Sequence, residues 1–331
     1  MNILITGSTG FIGQNLVKRL LKLGHRCRCL VRDADKAKKM LGQQSNLDFH
    51  IGDITSPETL SGTTDNIDCV FHLAALMGHD LPSESAFKKF RAVNVEGTKN
   101  ILNECCKNPS IQKIIHISST AAYGILKDHR INENTECNPY TPYQRSKHES
   151  DHAALSYIEQ GLPITIIRPC MIYGPGFKGD FFTMTKVAKK GFYPKIGLGK
   201  NLAPSLYIDD LIDALILAVD HAKTGETYLI GPTRSFSQKE ILNVIKKFLN
   251  KKIFYVYFPV FLIKFLAWLQ EKLMKSINKK PVVTARNISS ITHDRILDIS
   301  KAKSELKYEP QIDLEEGLSK TLQWYHNKGL I

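Results

Sequence analysis

A glycine turn follows the first apolar run of the chain and constrains everything after it. Thr6-Gly7-Ser8-Thr9-Gly10-Phe11-Ile12-Gly13 stands between Met1-Asn2-Ile3-Leu4-Ile5 and an amphipathic segment, Gln14–Leu23. That order is strand, tight turn, helix. The glycines let backbone approach a pyrophosphate, and the helix N-terminus offers free N–H groups and positive dipole to it. A dinucleotide is therefore expected at the start of the first domain. The spacing is G-x-x-G-x-x-G, not the commoner G-x-G-x-x-G, and a turn without a ligand could hold the same glycines. The strand before it and the helix after it favour the dinucleotide.

The 331 residues allow one large α/β domain with a lobe, or two domains. The start reads as a strand, without the basic and apolar regions of a signal peptide, so a cytoplasmic protein is expected. Cysteines 27, 29, 69, 105, 106, 137 and 170 show no metal-ligand spacing and read as reduced thiols. No apolar run reaches the roughly 18 residues of a spanning helix. Net charge is +13, and ten lysines against Glu240 and Glu271 put +8 of it between Lys239 and Lys280. The residues between those lysines are Phe, Leu, Ile and Trp in helical phase. That pattern fits a lipid surface or a core better than a phosphate groove, so no nucleic-acid partner is expected. A solvated basic face on a packed helix is the plainer alternative.

Apolar runs at Cys27–Val31, Cys69–Leu73, Lys113–Ile117 and Ile164–Ile167 alternate with helical patterns that include Val93–Cys106 and Tyr143–Gln160. This rhythm predicts an α/β fold with a doubly wound parallel sheet and ligands at the carboxyl ends of its strands. It breaks near Tyr173. Helices are expected at Phe181–Lys190, Asp209–Asp220, Ser237–Leu249 and Phe261–Ile277, with a short strand at Tyr228–Ile230. The expected division is a dinucleotide-binding domain of residues 1–172 plus about 203–232, and a smaller substrate lobe of residues 173–202 and 233–331.

Tyr143 and Lys147 lie one helical turn apart on one face. A phenol has a pKa near 10, and a neighbouring ammonium favours the phenolate. Beside a dinucleotide, such a pair exchanges a proton with a substrate oxygen during hydride transfer. The strand Lys113–Ile117 ends in Ser118-Ser119-Thr120, where a hydroxyl can orient that oxygen.

With these residues in place the chain resembles the extended short-chain dehydrogenase/reductases. That Rossmann-type family includes nucleotide-sugar epimerases and dehydratases, 3β-hydroxysteroid dehydrogenases and dihydroflavonol reductases. The resemblance runs through Gly52-Asp53-Ile54, His72-Leu73-Ala74-Ala75, Asn94-Val95-Glu96-Gly97-Thr98, Arg168-Pro169, Tyr173-Gly174-Pro175, Tyr207–Leu211, Asp298–Ala302 and Leu306–Pro310. It implies a general acid/base at Tyr143, a catalytic hydroxyl at Ser119, and Lys147 holding the nicotinamide ribose and tuning Tyr143. It implies a cofactor site at Gly7, Thr9, Gly10, Phe11, Ile12 and Gly13. Asp53 and Ile54 would meet adenine, Leu73, Ala74 and Ala75 would pass under the cofactor, Asn94 would lie near the ribose, and Pro169–Ile172 would run beside the nicotinamide. Asp53 and Asn94 could instead cap local helices. A homodimer is implied through the Val93–Cys106 and Tyr143–Gln160 helices, with Cys105 and Cys106 near the interface.

NAD use calls for an acid at the end of the second strand. That position is Val31, and Arg32 follows it. A guanidinium binds a 2′-phosphate bidentately, and Lys39 on the next helix offers a second charge, so NADP is favoured. Asp33 could hold a ribose hydroxyl instead, or pair with Arg32.

The reaction expected is hydride transfer between nicotinamide and a ketone or secondary alcohol. Ser119-Thr120-Ala121 lacks the acid pair with which sugar dehydratases of this family remove water. Ala203 stands where many nucleotide-sugar members carry a diphosphate-binding Arg, although Arg234, Lys195 or Lys200 could replace it. An aromatic cluster from Phe254 to Trp268 suggests an apolar substrate. A sugar 4-epimerase and a non-catalytic scaffold at a membrane are the alternatives. After Pro259, apolar residues 262, 265, 266, 269 and 273 form one face opposed by Lys264, Glu271 and Lys275. That face packs on the core, lids the site or meets a membrane, and peripheral membrane contact through 253–280 is one expectation. His148-Glu149-Ser150-Asp151-His152 has the H-E-x-x-H spacing of zinc proteases. No third ligand follows in the extended pattern, and no metal is expected.

Overall fold

The computed structural model describes residues 1–78, 80, 82–124, 126, 130–276 and 293–331. Residues 277–280, the end of the stretch expected to meet a membrane, lie outside the described residues. Seven strands form one sheet: β1 (Asn2–Thr6), β2 (Arg26–Val31), β3 (Leu47–Ile51), β4 (Cys69–His72), β5 (Lys113–Ile117), β6 (Ile164–Pro169) and β7 (Thr227–Ile230). Their spatial order is β7-β6-β5-β4-β1-β2-β3, and every pairing is parallel. The central strands are covered on both faces, which is why they read as unbroken apolar runs. Ile3, Leu4 and Ile5 are all buried, as is every residue of β6. Chain order reverses between β1 and β4, and a ligand crevice forms at the carboxyl edge of such a switch.

Helix α1 (Phe11–Lys22) buries Leu16, Val17, Leu20 and Leu21. Helix α2 (Ala34–Leu41) is capped by Asp33, whose carboxylate accepts the Lys36 N–H. The helix expected from Val93 starts earlier. Ser83 caps α3 (Glu84–Arg91), a π-helical turn spans Ala92–Glu96, and α4 (Gly97–Cys106) continues from it. Helix α5 (Pro142–Ser156) opens on a capping box made by Thr141 and Gln144.

Beyond β6, Met171–Tyr173 pairs in parallel with Ser205–Tyr207. Helices α6 (Asp180–Lys189), α7 (Ile208–His221), α8 (Gln238–Leu249) and α9 (Val260–Ser276) follow. Phe192–Ile196 pairs in parallel with Phe254–Phe258. The sequence pattern did not anticipate this ribbon, because its strands lie some 60 residues apart and each reads as a short apolar run. Helix Ser300–Leu306, past the expected lobe boundary at 233, packs on β7 and α7. Helix Leu314–Asn327 packs on α8.

Candidate active site

The glycine turn closes on the switch point. Gly7 has a positive φ of 69°, and a Cβ there would lie 2.8 Å from the Ala74 nitrogen. A Cβ on Gly13 would meet the Gly7 carbonyl oxygen at 2.3 Å, so this glycine seats α1 against the loop. Gly10 is exposed and caps α1 without a side-chain hydrogen bond, whereas α2, α5 and α8 all have side-chain caps. An uncapped N-terminus at a switch point leaves N–H groups for an anion. The half-buried Thr9, Phe11 and Ile12 line this turn, and Phe11 stacks on Phe177 with ring centroids 4.9 Å apart. The turn fits a dinucleotide pyrophosphate.

At the β2 edge Val31 is buried and Arg32 is exposed, its guanidinium 3.9 Å from the Asp53 carboxylate. Burial pushes the Asp53 carboxyl up, but two hydrogen bonds from Thr55 and the Arg32 charge outweigh it and hold the group low. Asp33 is occupied as the α2 cap. Lys39 lies on α2, the helix that follows Arg32. It is exposed on the side of α2 opposite buried Ala37 and Leu41, about 9 Å of helix beyond Asp33. Ile54 is buried; its side chain fills the space over Gly97, and its carbonyl accepts the Asn100 amide.

Leu73, Ala74 and Ala75 leave β4 under the glycine turn, and the Ala74 N–H donates to Thr6 Oγ1. Asn94 does not cap its helix. Fully buried in the π-helical turn, it accepts the Leu76 N–H at 2.6 Å and donates to the Leu76 carbonyl and to Ser146 Oγ. It clasps the β4 loop to α5. Pro169 ends β6, and Ile172 is half-buried beside it in the Met171–Tyr173 strand.

Ser119 caps the short turn after β5 by accepting the Ala121 N–H, and its hydroxyl is close enough to the Tyr143 phenol to lower that group's pKa. Tyr143 is partly exposed, with its ring edge-on to Phe90. Lys147 is buried and donates to the Ile117 carbonyl at 2.7 Å. Burial pulls its pKa down to about 8, and Asp151 pushes it back up. Lys147 was expected to lower the Tyr143 pKa; in the structure the phenol stands above its ordinary value. Burial raises the phenol, the Ser119 hydroxyl lowers it, and Asp151 raises it again.

Pattern reading missed Asp151 as a site residue. Its carboxylate accepts from Ser118 Oγ at 2.8 Å and from Arg168 Nε at 2.9 Å. His116 stands 3.5 Å away and hydrogen-bonds Ser150. Burial pushes Asp151 up, but the His116 hydrogen bond and the Arg168 charge leave it below the usual carboxylate value. The signal was available: Asp151 lies four residues past Lys147 on the same helix.

His148 and His152 face each other, their Nε2 atoms 3.2 Å apart, while Glu149 pairs with Arg91. Among the described residues no three metal-binding side chains converge. Cys105 is fully buried in its own core and only Cys106 is exposed. Arg234 is paired with Glu240 at 2.8 Å.

A cavity of about 260 Å³ is lined by Lys195, Leu198, Lys200, Lys239, Asn243, Tyr255 and Tyr257. The Lys195 ammonium sits 3.8 Å from the Tyr255 ring centroid. A larger cavity, about 500 Å³, lies between Pro232–Phe236 and Pro310–Glu315. Neither is lined by Ser119, Tyr143 or Lys147. The aromatic cluster expected to form an apolar pocket faces outward, with Phe254 73% and Phe261 75% exposed.

A parallel sheet with an uncapped glycine turn at its switch point, and a hydroxyl–phenol–ammonium set on β5 and α5, defines a nicotinamide-dinucleotide enzyme. The chain belongs to the NAD dependent epimerase/dehydratase family, whose model matches residues 3–231. Members of this family are NAD(P)-dependent enzymes. The chain is 28% identical to a UDP-glucose 4-epimerase of Vibrio cholerae, covering 97% of this chain and 94% of that one. It is 27% identical to a 3-beta-hydroxysteroid dehydrogenase of Mycolicibacterium neoaurum, over 98% and 91%. Its fold matches the UDP-glucuronic acid 4-epimerase from Bacillus cereus, in complex with UDP-glucuronic acid and NAD. That match has a TM-score of 0.80 at 25% identity and covers 99% and 100% of the two chains.

Proposed function

We propose that the protein is an NADP(H)-dependent oxidoreductase that moves hydride between nicotinamide and the carbon of a ketone or secondary alcohol. The observation that carries this reading is Lys147, buried at the carboxyl edge of the sheet with its ammonium donating to the Ile117 carbonyl, one helical turn from Tyr143 and next to the turn that holds Ser119. The dinucleotide supplies or accepts the hydride. Gly7, Gly10 and Gly13 leave room for its pyrophosphate. Lys147 holds the nicotinamide ribose, Ser119 orients the substrate oxygen, and Tyr143 gives or takes the proton at that oxygen. Buried Val31 followed by exposed Arg32 supports a 2′-phosphate over a free ribose. NADPH is expected to exceed NADH in kcat/KM by at least about tenfold, roughly 1.4 kcal/mol. Arg32→Ala is expected to erase most of that ratio, and equal values in the wild type would overturn the preference. Tyr143→Phe is expected to lower kcat by at least about a hundredfold, the usual scale of general acid–base catalysis. Unchanged turnover would end the mechanism.

The outward turn of the aromatic cluster leaves little to support a purely apolar substrate. The cavity of three lysines and two tyrosines supports a second reading, a 4-epimerase whose substrate carries a diphosphate. In that reading Lys195 and Lys200 serve where Ala203 cannot. Dinucleotide that copurifies and resists exchange, together with 4-epimerisation of a UDP-sugar, would select it over the reductase. A homodimer through α4 and α5 is proposed for either reading, with Cys106 rather than Cys105 near the contact. Light scattering tests it.

A further inference from the structure

Helix α9 is turned inside out. Ile263, Ala267 and Gln270 face inward, and Ala267 is only 6% exposed. The opposite side presents Phe261, Phe265, Leu269 and Leu273 to solvent at 40–75% exposure. The stripe that the sequence pattern allowed to be a core face, Leu262, Phe265, Leu266, Leu269 and Leu273, is likewise 39–55% exposed. The adjoining ribbon behaves alike. Parallel register sets Phe192 beside Phe254 and Pro194 beside Val256, all four exposed. Large apolar side chains left in water over one lobe call for an apolar occupant.

Lysines rim this face. Lys189 and Lys190 run into Phe192, and Lys251 and Lys252 run into Phe254; all four are exposed. The Phe254 N–H donates to the Gly191 carbonyl at 2.9 Å, which brings both lysine pairs to one end of the ribbon. On the helix, the Lys272 ammonium lies 4.3 Å from the Trp268 ring centroid. No Asp or Glu occurs from Lys251 to Gln270.

We propose that this lobe docks on an anionic lipid bilayer. The aromatic and leucine side chains enter the headgroup–acyl boundary while the lysines stay with the phosphates. The helix lies on the membrane and does not cross it: among the described residues no helix is long and apolar enough to span. A second copy of the chain fits less well. A two-fold contact sets the same patch against itself and brings its lysines together.

The test uses the full chain with vesicles of phosphatidylcholine, alone or mixed with phosphatidylglycerol. The wild type is expected to co-sediment with the anionic vesicles at least about tenfold more tightly than with the neutral ones. Added salt should release it, and tryptophan emission should shift to the blue as Trp268 leaves water. Phe261→Asp/Phe265→Asp is expected to abolish binding while keeping the circular dichroism and dinucleotide affinity of the wild type. Phe261→Ser changes the most exposed position and is expected to weaken binding without touching the core. Lys251→Glu/Lys252→Glu is expected to remove the preference for anionic lipid. The proposal is overturned by a wild type that ignores anionic vesicles, or by a Phe261→Asp/Phe265→Asp protein that binds them equally. A wild-type dimer that binds no vesicles and dissociates on the Phe261→Asp/Phe265→Asp change would assign the face to a second copy.

Discussion

Lys147 is the residue on which the site's electrostatics turn. Burial lowers its pKa from the ordinary lysine value to about 8, so holding it charged at pH 7 costs the fold on the order of 3 kcal/mol. The sign follows from linkage. The folded pKa lies below the unfolded one, so the penalty is full below pH 8 and fades as pH rises toward the unfolded value. Stability from this group therefore increases between about pH 8 and 10. Activity should move the other way. If the Lys147 ammonium holds the ribose, turnover in the reductive direction stays flat near neutrality and falls as pH passes about 8. A pH–rate profile level to pH 10 would contradict that role. Asp151 is the neighbour that supports the charge, so Asp151→Asn should move the fall to lower pH. The Tyr143–Lys147 spacing was legible in the sequence, because four residues make one helical turn. Asp151 was legible by the same rule, but nothing in the pattern marked it as buried or showed Arg168 reaching it from β6.

Helix α1 and the π-helical turn show how elements divide the work. The open N-terminus of α1 is a cost to the free protein that an anion can remove. Gly13→Ala forces a Cβ against the Gly7 carbonyl and so spreads the turn from the helix. It is expected to lose dinucleotide affinity at least tenfold and to cost about 1–3 kcal/mol by overpacking, read by titration and by denaturant unfolding. Strand and helix positions of the first half could be read from period alone. The start of α3 and the π-helical turn could not. Asn94 is driven there by its partners, Leu76 on the β4 loop and Ser146 on α5, which lie 18 and 52 residues away in sequence. The same holds for α9. Its amphipathic period was plain, but period alone does not say which face meets solvent.

At the scale of the whole molecule, the dinucleotide and the fold are linked. A ligand that binds only the folded state at a hundred times its Kd adds about 2.7 kcal/mol of stability. NADPH is therefore expected to raise the unfolding temperature, and by more than NADH at equal concentration. An equal rise, or none, would count against the assignment at Arg32. The sequence by itself determined the βαβ order, the glycine turn and the Tyr143–Lys147 pair, because these depend on spacings of a few residues. Tertiary structure decided the rest. It set Gly7 against Ala74 across the switch point, clasped Asn94 between the β4 loop and α5, and turned the α9 stripe outward. Those outcomes depend on which distant surfaces pack together, and a periodic pattern carries no record of the surface it will meet.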